Sequence, residues 1–167
     1  MKLSFDTKAN TLRSLNGRLS QGQVLPQLCF TVESWEANNK TLAVLEERPD
    51  WLALPVIVRS SGKAEDGVEE SLAGHYTTVA NVVGADQLER AIVTVINSFG
   101  GNNPDDQILI QPMLEKVLVS GVAFTRDPSN ASYYYIINYD ALSGETDTVT
   151  GGLSNELTTF IHAKNTA

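Results

Sequence analysis

The chain has 167 residues, of which 42% are hydrophobic and 19% charged, and this composition is typical of a globular protein with one core or two small lobes. Its 12 basic and 20 acidic residues give a net charge of −8, which disfavours binding to nucleic acids and to anionic membranes. A single cysteine excludes an internal disulfide, and no apolar stretch resembles a signal peptide or a membrane span, so we expect a cytoplasmic protein.

The first third of the chain predicts one amphipathic helix, one strand and two short helices. Apolar residues recur at spacings of three and four over residues 7–19, which indicates a helix that Asp6 or Thr7 caps. An apolar run at residues 27–32 predicts a strand. Ser34 is placed to cap a short helix that carries Trp35, and residues 41–47 predict another before Pro49.

The central stretch, residues 56–78, contains the strongest signal for a binding site. Three β-branched residues predict a short buried strand with Arg59 at its end, and small and polar residues follow as far as Gly74. The planar guanidinium suits phosphate oxygens, and small residues let backbone N–H groups approach an anion. The pattern predicts phosphate or nucleotide binding without naming a reaction. A strand with a surface arginine and a solvated acidic turn is the alternative.

The remainder of the chain predicts strands around one long helix. Pro112 indicates an edge, a bulge or the end of its strand, and we expect residues 107–113 and 117–125 to form a hairpin. The mixture of hairpins and helices predicts an α+β fold with a mixed or antiparallel sheet, flanking helices and a possible lobe boundary near residues 100–106. The predicted elements are strands at 76–83, 107–113, 117–125, 133–139 and 146–150, a helix at 86–99 and a turn at 126–130.

Three motifs resemble those of one protein family. The sequence Val-Arg-Ser-Ser at 58–61, with Ala-Glu-Asp at 64–66 and Ser-Leu-Ala-Gly at 71–74, is similar to V-R-S-S-A-x-A-E-D followed by S-F-A-G. Residues 110–113 and 119–128 are similar to V-Q-x-M and V-S-G-V-x-F-T-x-D-P, and Lys8 lies in a weaker match to G-G-K-G-x-N-L. From residue 7 to about 156 the chain therefore resembles the N-terminal, ATP-grasp domain of the phosphoenolpyruvate synthase and pyruvate phosphate dikinase family.

The resemblance implies a set of phosphate-binding residues. Arg59 would be the catalytic cation, and residues 74–78 would form a loop over the β- and γ-phosphates of ATP. In that loop Thr77 or Thr78 would supply a hydroxyl and a backbone donor. The loop also contains His75, at a position where the family usually has glutamine. Two cations and a donor loop suit phosphoryl transfer, which depends mainly on positioning and charge neutralisation. The implied phosphate-binding residues are Lys8, Arg59, Gly74, His75, Thr77 and Thr78.

The resemblance also implies an adenine site in this chain, and it implies that other parts of a longer enzyme supply the metal ligands and the acceptor domains. Gln111 would lie near the adenine or ribose, and Met113 and Leu114 would form the apolar and backbone side of the adenine slot. The Mg²⁺ ligands of the family come from a later lobe, so we expect no metal ligand in this chain. The later lobe, the phosphohistidine domain and the substrate domain are expected elsewhere in the same polypeptide.

The function implied is ATP binding within a phosphoenolpyruvate synthase-like phosphotransferase. In the family, ATP phosphorylates a catalytic histidine, which then phosphorylates pyruvate, and we expect the isolated chain to be inactive. Asp6 and Thr7 replace the glycine pair before the lysine, which indicates a divergent member. One alternative is a small-molecule kinase whose acceptor is an antibiotic, an amide or a cell-surface precursor. The other is a non-catalytic nucleotide-binding module.

Overall fold

The computed structural model describes residues 6–62, 77–101, 103–144, 146, 149 and 157–164. The chain divides into two compact units, Met1–Met113 and Leu114–Ala167. The division lies after residues 100–106 because the strand that begins at Gln107 pairs with two strands of the first unit. Every strand pair in the described residues is antiparallel, and helices pack on the first sheet, so the fold is α+β.

The elements of the first unit, in chain order, are α1 (Lys8–Leu15), β1 (Leu28–Thr31), α2 (Val32–Ala37), β2 (Val56–Ser61), β3 (Thr78–Val82), α3 (Ala85–Ser98) and β4 (Gln107–Pro112). The strands form a four-stranded sheet in the order β1-β4-β2-β3. Two single turns of 3₁₀ helix, Leu42–Val44 and Asp50–Ala53, join α2 to β2.

The core of the first unit lies between α3 and one face of this sheet. The apolar residues of α3 recur every three or four positions, so they form one stripe along the helix, which packs on β2, β3 and β4. Trp35 is 1% exposed and stacks on Phe30, with ring centroids 6.0 Å apart, so it is part of this core. The buried core residues that face one another are Val56, Val58, Ile108 and Ile110 of the sheet and Leu88, Ala91, Ile92 and Val95 of α3.

Three local predictions for the first third of the chain are wrong. The first helix ends at Leu15 rather than Leu19, because Gly17 adopts a φ of 73°, and Leu19 is 44% exposed. The cap of α2 is Thr31, whose hydroxyl accepts a hydrogen bond from the Ser34 N–H at 3.1 Å. In place of a helix at 41–47 there is one 3₁₀ turn, which Thr41 caps.

Two predictions about the strands are also corrected. β2 continues through Arg59 to Ser61, so Arg59 lies within the strand and not at its end, because both neighbours of β2 pair with this position. β4 does not form a hairpin with the strand that follows it. It lies between β1 and β2, and Pro112 is its last residue, where the missing N–H interrupts no further pairing.

The second unit contains a three-stranded antiparallel sheet in the order β5-β6-β7, formed by Ser120–Phe124, Tyr134–Asp140 and Thr158–Ala163. A Cβ atom at Gly121 would lie 2.6 Å from the Asn138 carbonyl oxygen, so this glycine permits close strand packing. β7 was not predicted. Of the strand expected at 146–150, only residues 146 and 149 are described, and neither is in a strand.

The predicted turn at residues 126–130 is confirmed. The Asp127 carboxylate accepts hydrogen bonds from the Ser129 N–H at 2.8 Å and the Ser129 hydroxyl at 2.6 Å. These hydrogen bonds lower the pKa of Asp127 because they stabilise its charged form. Arg126 lies over the Tyr133 ring, 4.2 Å from its centroid, and donates to the Ala131 carbonyl. Both charged residues thus stabilise the turn.

Candidate functional site

The two faces of the first sheet differ in chemistry. Successive residues of a strand point to opposite faces, and residues opposite one another in neighbouring strands share a face. Arg59 is opposite Leu109 of β4 and Thr78 of β3, and Ser61 is opposite Gln107. These residues therefore lie on the face away from α3, which we call the Arg59 face. Its members from β2, β3 and β4 are Ile57, Arg59, Ser61, Thr78, Gln107, Leu109 and Gln111.

The first turn of α1 is fastened to the Arg59 face. The Ala9 N–H donates to the Ser61 hydroxyl at 2.8 Å, and the Thr7 hydroxyl donates to Gln107 Oε1 at 2.7 Å. On the other side of the turn, Gln27 Nε2 donates to the Ala9 carbonyl at 2.9 Å. Lys8 lies between these contacts, and its Nζ is 3.4 Å from the Ser60 carbonyl oxygen. The structure thus places Lys8 against Ser60 of β2, the residue that follows Arg59 in the chain.

The Nε atom of Arg59 is buried and has no hydrogen-bond partner among the described residues. A buried donor without a partner costs about 1–3 kcal/mol, and more if the group is charged, so most such groups in native proteins have partners. An anion on this face would accept from Nε and offset the charge of Arg59. The arrangement is therefore suited to phosphate oxygens.

The residues expected to form the phosphate loop are described only in part. Gly74 and His75 lie outside the described residues. Thr78 is directly opposite Arg59, at the start of β3. The Thr77 N–H donates to the Ser98 hydroxyl at 3.1 Å, so this backbone donor is engaged with α3. Of the two threonines, Thr78 is the one that the strand register brings beside Arg59.

The three residues expected at the adenine are distributed over both units. Gln111 is 5% exposed and lies on the Arg59 face, diagonally across from Arg59, at a separation of about 7–8 Å for such pairs. The Met113 N–H donates to the Pro55 carbonyl at 2.9 Å, which fixes the chain just beyond β4. Leu114 is 52% exposed and belongs to the second unit.

Two titratable groups border the sheet, and burial raises the pKa of both. Cys29 is opposite Leu109, and burial raises the pKa of its thiol although the Arg13 guanidinium acts in the opposite direction. A thiol that stays protonated is a poor nucleophile. Burial also raises the pKa of Asp106, and the neighbouring Asp105 adds to the effect. The carboxylate of Asp106 adjoins Gly62, where a Cβ atom would lie 3.0 Å from its Oδ1.

No metal centre was predicted in this chain, and the described ranges contain no cluster of three or more His, Cys, Asp or Glu residues that could hold a metal ion. The carboxylate of Asp140 is engaged in a turn, where it accepts from the Leu142 N–H, the Ser143 N–H and the Ser143 hydroxyl. Across those same ranges, no helix combines the length and apolar character needed to cross a membrane.

Sequence reasoning missed the residues that support Lys8. Ser61 is the last residue of the Val-Arg-Ser-Ser motif, so its signal was present but was not interpreted as a contact with α1. Gln27 and Gln107 carry no comparable signal, because an isolated glutamine near a strand end is common on protein surfaces. Their role becomes visible only once β1, β2 and β4 are aligned.

Comparison with known families tests the predicted resemblance directly. The family model for the pyruvate phosphate dikinase AMP/ATP-binding domain matches residues 29–104. The matched stretch includes Arg59, Gly74, His75, Thr77 and Thr78, and the α+β fold agrees with it. This match supports the predicted resemblance. Residues 29–104 are similar to the AMP/ATP-binding domain of pyruvate phosphate dikinase.

Proposed function

We propose that the Arg59 face binds the phosphates of ATP and that this chain is the ATP-binding part of a phosphoenolpyruvate synthase-like phosphotransferase. The observation that carries the proposal is the buried Arg59 Nε without an acceptor in the described residues, beside the strand segment that Lys8 contacts. The family match supports a nucleotide as the ligand. In a chain of net charge −8, Arg59 on β2 and Lys8 on the adjoining first turn of α1 form a local site for an anion.

The two cations have complementary roles in this proposal. The guanidinium of Arg59 offers several N–H donors in one plane, which orients a phosphoryl group as well as neutralising it. Lys8 provides a compact charge on a flexible stem that follows the phosphate oxygens. ATP, when bound, supplies the phosphoryl group. The residues of this chain hold it in position and lower the electrostatic cost of the transfer.

The remaining assignments extend the proposal along the same face. Thr78 offers its hydroxyl beside Arg59, and Gly74, His75 and Thr77 complete the loop over the phosphates. Gln111 lies near the adenine or ribose, and Met113 and Leu114 form the apolar and backbone side of the adenine slot. The described residues do not fit a resident Mg²⁺ site, so no step is assigned to the metal, and we place its ligands elsewhere in the polypeptide.

In the longer enzyme, a histidine elsewhere in the same polypeptide accepts the phosphoryl group from ATP. That histidine then phosphorylates pyruvate. The exposed His162 is not assigned this role, because it lies on β7 and stacks on Phe160, with ring centroids 6.3 Å apart. The partners are the nucleotide and the rest of the same polypeptide, in the cytoplasm. We therefore expect the isolated chain to bind ATP without turning it over.

An NMR titration of ATP into the isotopically labelled chain tests the proposal. Saturable shifts are expected at the amides of Arg59, Leu109 and Thr78, because these residues are opposite one another on adjacent strands. The amide of the exposed Arg90 on α3 serves as the control and should not move. Inorganic tripolyphosphate should shift the same amides and compete with ATP. Shifts confined to other parts of the chain would contradict the proposed site.

Replacing Gln111 with alanine is expected to lower the preference for ATP over GTP by about fivefold, which is the effect on affinity of losing roughly one hydrogen bond. Affinity for tripolyphosphate should stay unchanged, because the phosphate-binding residues are retained. The same titrations with ATP, GTP and tripolyphosphate measure both quantities. Gln87→Ala, at an exposed glutamine of α3, is the matched control. An unchanged nucleotide preference would remove Gln111 from the base-binding site.

A further inference from the structure

We propose that Ser61 is a positioning residue that holds the first turn of α1 on β2 and thereby sets Lys8 beside Arg59. The inference rests on the proposed function, since it assigns Ser61 a role in the same phosphate site. It concerns a residue that would not itself touch the nucleotide. Its basis is the hydrogen bond from the Ala9 N–H to the Ser61 hydroxyl, 2.8 Å long and buried.

This hydrogen bond satisfies a group that the helix cannot satisfy internally. The first N–H groups of a helix have no carbonyl partner within it, and a side chain or water normally accepts from them. The N-cap Thr7 accepts from the Asn10 N–H at 3.3 Å, which leaves the Ala9 N–H to another acceptor. Ala9 and Ser61 are both fully buried, so water is a poor substitute there. Ser61 thus completes the cap of α1 from a strand 52 residues away.

The position of Ser61 in β2 connects the two cations. Ser61 lies two residues after Arg59 on the same face of the sheet, and its partner Ala9 directly follows Lys8. One hydrogen bond therefore joins the backbone segments that carry Lys8 and Arg59. The contacts of Thr7 with Gln107 and of Gln27 with Ala9 hold the same turn from β4 and from the residue before β1. Side chains of β2, of β4 and of the residue before β1 thus all hold this turn.

A double-mutant cycle with Lys8→Met tests the inference, with inorganic tripolyphosphate and ATP as the probes. Ser61→Ala is expected to weaken tripolyphosphate binding about fivefold, because a misplaced Lys8 loses most of a charge-assisted hydrogen bond. In the Lys8→Met background the same substitution should change affinity by less than about twofold, since Ser61 acts through Lys8. A purely structural role would produce equal losses in both backgrounds.

The controls separate this inference from the proposed function. Ser14→Ala removes a hydroxyl of α1 that donates to the Thr11 carbonyl of the same helix, and it should leave affinity unchanged. Ser61→Cys keeps the volume but weakens the acceptor, and it replaces Ser61→Ala in the cycle if the alanine variant does not fold. If Lys8→Met leaves affinity unchanged, the proposed phosphate site is wrong. If Lys8→Met weakens binding while Ser61→Ala does not, or does so equally in both backgrounds, the positioning role is overturned.

Discussion

Replacing Arg59 with alanine is expected to weaken the binding of ATP and of tripolyphosphate by about 10- to 100-fold. This is the loss of affinity expected when one or more hydrogen bonds to a charged group are removed. The physical reason is the position of the guanidinium, whose buried Nε has no acceptor in the described part of the sheet. A phosphate oxygen would satisfy that donor in the complex. Removal of the side chain therefore deletes an interaction that is made only with the ligand.

The stability of the same variant distinguishes a binding residue from a structural one. Because Nε satisfies no described acceptor, Arg59→Ala should reduce the free energy of unfolding by less than a core substitution does. Arg59→Lys should recover part of the affinity, since it keeps the charge and loses the planar donors. Arg90→Ala, at an exposed arginine of α3, is the matched control for net charge. ATP affinity equal to that of the wild type in Arg59→Ala would remove Arg59 from the site.

Replacing Ile92 with alanine is expected to lower the free energy of unfolding of the first unit by about 2–5 kcal/mol, as for other large-to-small changes in cores. Ile92 is fully buried and belongs to the stripe of α3 that packs on the sheet. The substitution removes apolar contacts and leaves a cavity that the close-packed neighbours can fill only in part. The effect should be the largest among the stability changes considered for this chain.

Urea unfolding followed by tryptophan fluorescence measures this change in the first unit, because Trp35 and Trp51, the only tryptophans in the sequence, both lie there. Val93→Ala is the control. Val93 is the next residue of α3 but is 41% exposed, so its substitution should change stability by no more than about 0.5 kcal/mol. Equal losses in the two variants would contradict the packing of α3 on the sheet.

Sequence patterns predicted correctly those elements whose apolar periodicity and end signals lie within one short stretch of the chain. The long helix was placed within one residue of α3 at both ends, since its apolar stripe and the flanking glycines are both local. The short strands near Cys29 and Arg59 were also found. The predictions were wrong where two neighbouring residues were equally suited to the same structural role. Thr31 and Ser34 are both good capping residues, and only the backbone conformation at Thr31 shows which of them precedes the helix.

The sequence by itself determined the α+β class, the resemblance to the family and the identity of the candidate phosphate-binding cations, because each depends on composition or on a contiguous motif. Only the tertiary structure decided that β4 lies between β1 and β2, that Arg59 is inside its strand beside Thr78, and that Ser61 completes the cap of α1. The physical reason is that strand pairing and helix docking join residues far apart in the chain. Alternation along one strand specifies which face a side chain occupies, but not which strand or helix lies against it.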